Sequence, residues 1–422
     1  MKSARTESAE PSSERVVRRR PRNRRAQIAA TSAAAFGALG YHGVSMEEIA
    51  AKVGISSAAL YRHYPSKYSL FREELLRLGQ ITVDAVTLPA EAEAEAEAES
   101  WSAEARLRYV IDALIAQAVT NRPTVTLARW EGRYLDDEDG KTLTDQFATS
   151  ITALRRLIAA VRPGLSKRDE FVRAVAILSI VSSIGDHHAA LPTKSLAVLL
   201  ASACWTAVHA VLPTFAESPV AQPSTDPPTP FKHQLLLAKA VELFHERGYP
   251  NVSVEDIAAA ADLAAASAVY RYYRSKSDLL TAAFRRAADQ VADAIGPVIA
   301  SSATPSAALT ELIELYVAGS FAERELTFVY YTEFSHVPAE DRVVLRNIQR
   351  LSVAEWGKLL VAVRSDLSAA QARILVHAAF GLVVDLGRAL GDGGHGCPQD
   401  AVARLMRVIL FDTATRPPGV RK

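Results

Sequence analysis

Apolar residues recur at three- and four-residue spacing along nearly the whole chain. Stretches such as "LRYVIDALIAQAV" and "TELIELYVAGSFA" place Leu, Ile and Val on that period, the spacing of one helix face. Runs of alternating β-branched residues are lacking, so the expected fold class is all-α. The helical rhythm starts near Arg22 and breaks at 217–230, "ESPVAQPSTDPPTP", whose Pro and Ser content reads as an extended linker. It divides the chain into halves of similar length. Residues 1–21 are polar and Arg-rich without apolar periodicity and read as a disordered basic arm. "EAEAEAEAES" at 91–100 reads as a solvated helix or a flexible acidic insert, with no chemistry assigned to it.

The pattern occurs twice. "GYHGVSMEEIAA" from Gly40 and "GYPNVSVEDIAA" from Gly248 agree at eight of twelve positions, 208 residues apart. Further on, "LIAAVRPGLS" (157–166) matches "LLVAVRSDLS" (359–368) at a shift of 202. The second half therefore reads as a diverged copy of the whole first half. This gives a headpiece at 22–82 and a helical body at 83–216, then a second headpiece at 231–290 and a second body at 291–416.

Local signals spell out the first headpiece. Ile28, Ser32 and Phe36 share one face of a helix that ends at Gly40. Ser45 with Glu48 three residues later forms a capping box for a short second helix. Gly54 ends that helix, because glycine accepts the positive φ of a tight turn. Ser56 caps a third helix, and Ser66 a fourth. Two short helices across such a turn form a helix-turn-helix, here at about 45–64, whose second helix enters the major groove. Ser45 and Ser56 are DNA-contact candidates as well as caps, and the small residues Ser57 and Ala58 let the backbone approach the bases. Tyr61, Arg62 and His63 follow as donors to phosphates or base edges. Lys67 begins the next helix, where free N–H groups attract phosphate. Arg24 and Arg25 continue the arm, and flexible arginine arms favour narrow minor grooves.

The motif "GYHGVSMEEIAAKVGISSAALYRHYPSKYSL" resembles the N-terminal DNA-binding domain of the TetR family of bacterial transcriptional regulators. The resemblance rests on Gly40-Tyr41, Ser45 with Ile49-Ala50, and Gly54-Ile55-Ser56. Leu60-Tyr61-Arg62-His63-Tyr64 and Ser66-Lys67 complete it, with Tyr64 where the family has Phe. It implies a DNA-binding regulator made of two units, each a headpiece followed by an all-helical ligand-binding and dimerisation body. It further implies a double-stranded DNA operator and a small, apolar effector. Ordinary members pair two chains through their last helices, so the halves here are expected to form an internal pseudo-dimer, or else a homodimer. The segments expected to pair are 195–212 and 399–411.

The second headpiece departs more. Asp262 stands where the turn glycine should be, and Ile257 to Tyr270 is thirteen positions against twelve from Ile49 to Tyr61. An extra turn residue offsets the third helix. Ser253, Ser267, Tyr270, Arg271 and Lys276 are therefore the weaker DNA-binding candidates. DNA binding by the first unit alone, with the second as a dimerisation or sensing module, is the alternative function.

The remaining features alter little. With 48 Lys+Arg against 47 Asp+Glu, net charge points to no partner. Two cysteines without metal-like spacing suit a reducing cytoplasm. The stretch 195–215 is long and uncharged enough for a membrane, but its repeat partner carries Asp400, Arg404 and Arg407, so a buried interface helix is expected. Asp186, His187 and His188 in "GDHHA" read as polar residues at a helix end, with no metal assigned. Trp130, matched with Tyr331 in the second half, is the candidate for lining an effector pocket. No Gly-rich phosphate loop, nucleophile elbow or paired-carboxylate signature supports an enzyme, and no cofactor is expected.

Overall fold

The computed structural model describes residues 24–89, 101–187, 191–213, 231–391 and 399–411. The arm, the linker, the 91–100 stretch and His188 lie outside them. All regular structure among the described residues is helical. The first unit comprises α1 (Arg24–Leu39), α2 (Met46–Val53), α3 (Ser57–Tyr61), α4 (Lys67–Val86) and α5 (Ala103–Thr120). It continues with α6 (Arg122–Trp130), a 3-10 turn at Gly132–Tyr134, α7 (Asp137–Val161), α8 (Lys167–Ser182) and α9 (Thr193–His209).

The second unit repeats this order. Its headpiece has α10 (Lys232–Arg247), α11 (Val254–Ala260), a 3-10 segment at Ala266–Arg271 and α12 (Lys276–Asp293). Its body has α13 (Ile295–Ser301), α14 (Pro305–Ala322), α15 (Arg324–Thr332), a 3-10 turn at Phe334–His336 and α16 (Ala339–Val363), closed by α17 (Ala369–Gly391) and α18 (Gln399–Phe411).

The expected headpiece boundaries at 82 and 290 fall inside α4 and α12. Each of these long helices serves both domains. On α4, Leu70 and Phe71 fill the headpiece core, while further along Gln146 of α7 donates to the Leu76 carbonyl at 3.3 Å.

The units join through α8, α9, α17 and α18. In α8 and α17 the buried residues lie on every face, from Val172 through Val181 and from Ile374 through Leu386. A helix apolar all round belongs inside a protein, and packing these two together buries the faces left over by each body. The apolar core runs unbroken from the first unit into the second body, and the second headpiece has a core of its own. Sequence reasoning put the pairing on the last helices alone. Those helices do pack together, with Arg404 Nε donating to the Val211 carbonyl at 3.3 Å, but α8 against α17 forms the larger part. One helix among the described residues is long and apolar enough to cross a membrane, at Ala369–Leu390. Most of it is buried, as expected for this central position.

Candidate nucleic-acid interface

The capping box at the start of α2 is complete. Ser45 Oγ accepts from Glu48 N at 3.2 Å, and Glu48 Oε2 accepts from Ser45 N at 2.9 Å. The Ser45 hydrogen bonds hold the Glu48 carboxyl below its ordinary pKa. Met46, Ile49, Ala50 and Val53 face inward. Gly54 turns the chain at φ 74°, with Ile55 N donating to the Ala50 carbonyl at 3.0 Å, which is the helix-ending arrangement that favours glycine. Ser56 Oγ then caps α3 by accepting from Ala59 N at 3.2 Å.

Two buried residues fix the roll of α3. Leu60 is fully buried, and Tyr64 just beyond is 1% exposed, its hydroxyl donating to Glu73 Oε1 at 3.1 Å. That roll leaves Ser56, Ala58, Tyr61, Arg62 and His63 exposed and Ser57 half-exposed. The predicted recognition residues are thus turned outward.

Three predicted contacts are otherwise engaged. Lys67 Nζ turns inward, donating to the carbonyls of Tyr41 at 2.9 Å and Val44 at 3.1 Å, and lies 4.4 Å from the Tyr41 ring centroid. Burial lowers its pKa. Lys67 therefore staples the turn between α1 and α2, where a phosphate contact was expected. Arg25 pairs with Glu73 at 2.5 Å and stacks over Tyr64. Arg24 donates to Gln27 at 2.9 Å and reaches toward the Val53 carbonyl. Both arginines brace the headpiece at the root of the arm.

The second headpiece keeps the frame and changes the reading element. Ser253 and Asp256 form the same capping box. Lys276 repeats the staple, donating to Tyr249 O at 2.8 Å and Val252 O at 2.7 Å. Asp262 takes the glycine's place at φ 53°, with Leu263 N bonded to the Ala258 carbonyl at 2.9 Å. Ile55 and Leu263 are thus equivalent, which identifies Ala264 as the inserted residue. The Ser56 cap becomes Ala265, which has no capping side chain, and the following segment is a 3-10 turn. Ser267, Tyr270, Arg271 and Tyr272 remain exposed. The aromatic Tyr272 was missed by sequence reasoning.

Each headpiece is fastened to the centre by a glutamate. Glu131 Oε2 accepts from Tyr41 N at 3.2 Å, and Glu333 Oε1 accepts from Tyr249 N at 3.2 Å. Burial pushes the Glu131 carboxyl up to about 7, with Glu333 nearby adding to the shift, and burial also raises Glu333. Contacts cross between units here. Arg133 pairs with Glu333 at 2.8 Å and donates to the Phe244 and His245 carbonyls, while Tyr134 Oη donates to Glu333 Oε2 at 2.9 Å. Burial lowers the neighbouring His336 to about 4. These glutamates, 202 residues apart, correct the expected matching of Trp130 with Tyr331 by one position: Trp130 corresponds to Thr332.

Trp130 and Tyr331 nonetheless meet. Their rings stack at 4.6 Å across the unit boundary, Trp130 bordering a cavity in the first body and Tyr331 one in the second. Beside them, buried Arg129 joins Asp186 of its own unit at 2.5 Å to Asp385 of the other at 2.6 Å. Asp186 also accepts from Trp130 Nε1 at 3.1 Å.

The family model for bacterial regulatory proteins of the tetR family matches the chain twice, over residues 28–73 and 236–283. Among solved structures, the chain is similar to a TetR-family transcriptional regulator from Bordetella parapertussis 12822. Identity is 24% over 42% of this chain and 93% of that one, with a TM-score of 0.39. A tetR-family regulatory protein from Rhodococcus RHA1 is 23% identical over 44% of this chain and 97% of that one, with a TM-score of 0.37. FadR from Bacillus subtilis, solved with stearoyl-CoA, is 20% identical over 42% and 95%, with a TM-score of 0.35. One family model landing on both headpieces makes this chain a tandem TetR-like protein, a helix-turn-helix DNA-binding transcription regulator with its unit present twice.

Proposed function

We propose that the chain is a ligand-responsive repressor that binds an asymmetric double-stranded DNA operator with both headpieces at once. The observation that carries this is the packing of α8 and α9 against α17 and α18 within one polypeptide, which gives a single chain the two reading surfaces that a symmetric dimer otherwise supplies. Half-sites for such a pair lie about 34–36 Å apart, or at multiples of that, because major grooves recur at that interval. The recognition set is Ser56, Ser57, Ala58, Tyr61, Arg62 and His63, with Ser267, Tyr270 and Arg271 as its diverged counterpart. Their different backbones favour different half-site sequences. An effector in a helical body acts through unequal affinity for the DNA-bound and free states. A chromosomal operator makes the working compartment the cytoplasm.

Footprinting of the full-length protein on DNA upstream of its own gene tests the reading, with light scattering to count chains. Two unequal protected half-sites on a species near the 45.6 kDa chain mass are expected. Deleting residues 1–22 is expected to flatten the salt dependence, since fewer counterions are released. A palindromic footprint bound by a species of twice that mass would overturn it. The alternative, DNA binding by the first unit alone, draws support from the uncapped 3-10 segment. It calls for one protected half-site and no effect of Tyr270→Ala.

A further inference from the structure

The two bodies are unequal inside. The first holds a cavity of about 800 Å³, the second one of about 160 Å³. The cause lies in substitutions at the 202-residue shift. Where Leu114, Ala128 and Leu178 line the first chamber, Tyr316, Tyr330 and Phe380 line the second, joined by Trp356, whose counterpart Leu154 is not part of the larger cavity's wall. Tyr316 stacks on Phe380 at 4.2 Å, and Trp356 stands edge-on to Phe380 at 5.0 Å. Rings occupy the volume that leucine and alanine leave open.

The cavities also differ in ownership. Every residue lining the smaller one belongs to the second unit. The larger is walled by the first unit and completed by Phe328, Asp385, Arg388 and Ala389 of the second. At that shared wall the charges are unequally engaged. Arg129 is held by Asp186 and Asp385, and Arg133 by Glu333. Arg388 donates to the Arg129 carbonyl at 3.2 Å and lies 3.8 Å from Asp385, whose oxygens already receive Arg129. Its side chain is 47% exposed. A guanidinium has five N–H donors in a fork suited to carboxylate, so Arg388 has donors to spare at the edge of a mostly apolar chamber, whose other charged lining residues are Arg129, Arg133, Asp136, Asp137 and Asp385.

We propose that the chain binds one effector, in the first body only, and that this effector is an apolar molecule with a single anionic group held by Arg388 of the second unit. The second body is a filled relic of the same chamber, and the second unit serves the site as its wall. This rests on the effector-responsive reading above and adds stoichiometry, location and chemical class. A volume near 800 Å³ is within the about 300–1,000 Å³ usual for small-molecule sites.

Dodecanoate and dodecanol are the probes, titrated into the full-length protein by calorimetry and native mass spectrometry. One equivalent of dodecanoate per chain is expected. Arg388→Gln should weaken dodecanoate at least tenfold and dodecanol less than twofold. Leu114→Tyr with Leu178→Phe, which writes the second body's rings into the first, should abolish binding of both. Gly319→Leu adds bulk at the smaller cavity, where a Cβ meets nothing within 4 Å, and should leave both unchanged. Melting curves confirm that each variant folds. Zero or two equivalents, loss of binding in Gly319→Leu, or equal losses of both probes in Arg388→Gln would overturn the single composite site. Whether dodecanoate changes operator affinity is measured separately and decides the effector-responsive reading by itself.

Discussion

Replacing Arg129 tests how the two units are held together. Its guanidinium is buried and satisfies two carboxylates, at 2.5 Å in its own unit and 2.6 Å in the other. Arg129→Ala leaves Asp186 without a cation and Asp385 with only Arg388 at 3.8 Å, and removing one member of a buried pair costs about 3–5 kcal/mol. Asp385→Ala leaves Arg129 its bond to Asp186, so the loss should be about 1.5–3 kcal/mol, that of the one short charge-assisted hydrogen bond at 2.6 Å, the second being long at 3.4 Å. In the double variant Asp385 is no longer there to be stranded, so the two losses should overlap by about 1–3 kcal/mol. Urea unfolding of all four proteins, followed by circular dichroism, gives the free energies if the transitions share one slope. Losses that add to within about 0.5 kcal/mol would show that the pair is not coupled and would refute the reasoning.

Lys67→Ala removes two carbonyl bonds and a ring contact, and should lower both headpiece stability, by about 2–3 kcal/mol, and DNA affinity. Tyr61→Ala should lower affinity alone, and comparing melting with gel shift for the two variants checks the distinction. Deleting Ala264 together with Ala265→Ser restores the spacing and cap of α3 in the second headpiece. It should strengthen protection of the weaker half-site, and an unchanged footprint counts against the assigned insertion. Glu131 binds its proton more tightly folded, at about 7, than unfolded, at its ordinary 4.5. Its burial therefore costs nothing below the lower value and progressively more as pH rises through the upper one, up to about 3 kcal/mol. Glu131→Gln should remove that part of the pH dependence of unfolding, and a slope unchanged between pH 5 and 8 would contradict it.

The headpieces were legible because their signals are local. Ser45, Gly54, Ser56 and Ser66 act on neighbours within about five residues, and sequence spacing states such relations directly. The carbonyl bonds of Lys67 leave no local signal, because its acceptors, Tyr41 and Val44, come near only once α4 folds back on the turn. The Arg25 pair is hidden for the same reason, since Glu73 lies 48 positions on. The central contacts were beyond reach. Arg129 and Asp385 are 256 positions apart in different copies, so even a perfect alignment of the repeats would not pair them. Glu131 and Glu333 did leave a trace, the shared shift of 202. The unequal chambers were written in the same alignment, as leucines facing aromatic residues.

The unbroken core through both units also bears on dosage. Two separate chains must first find each other, so the fraction of paired protein falls with dilution. When both partners lie on one polypeptide, pairing is independent of how many copies the cell holds. Occupancy of an operator then rises in direct proportion to free protein at low levels, where an associating pair would follow its square. On the proposed single-chain reading no exchange of subunits mixes an impaired copy with an intact one, so a defective allele of this gene should behave as recessive.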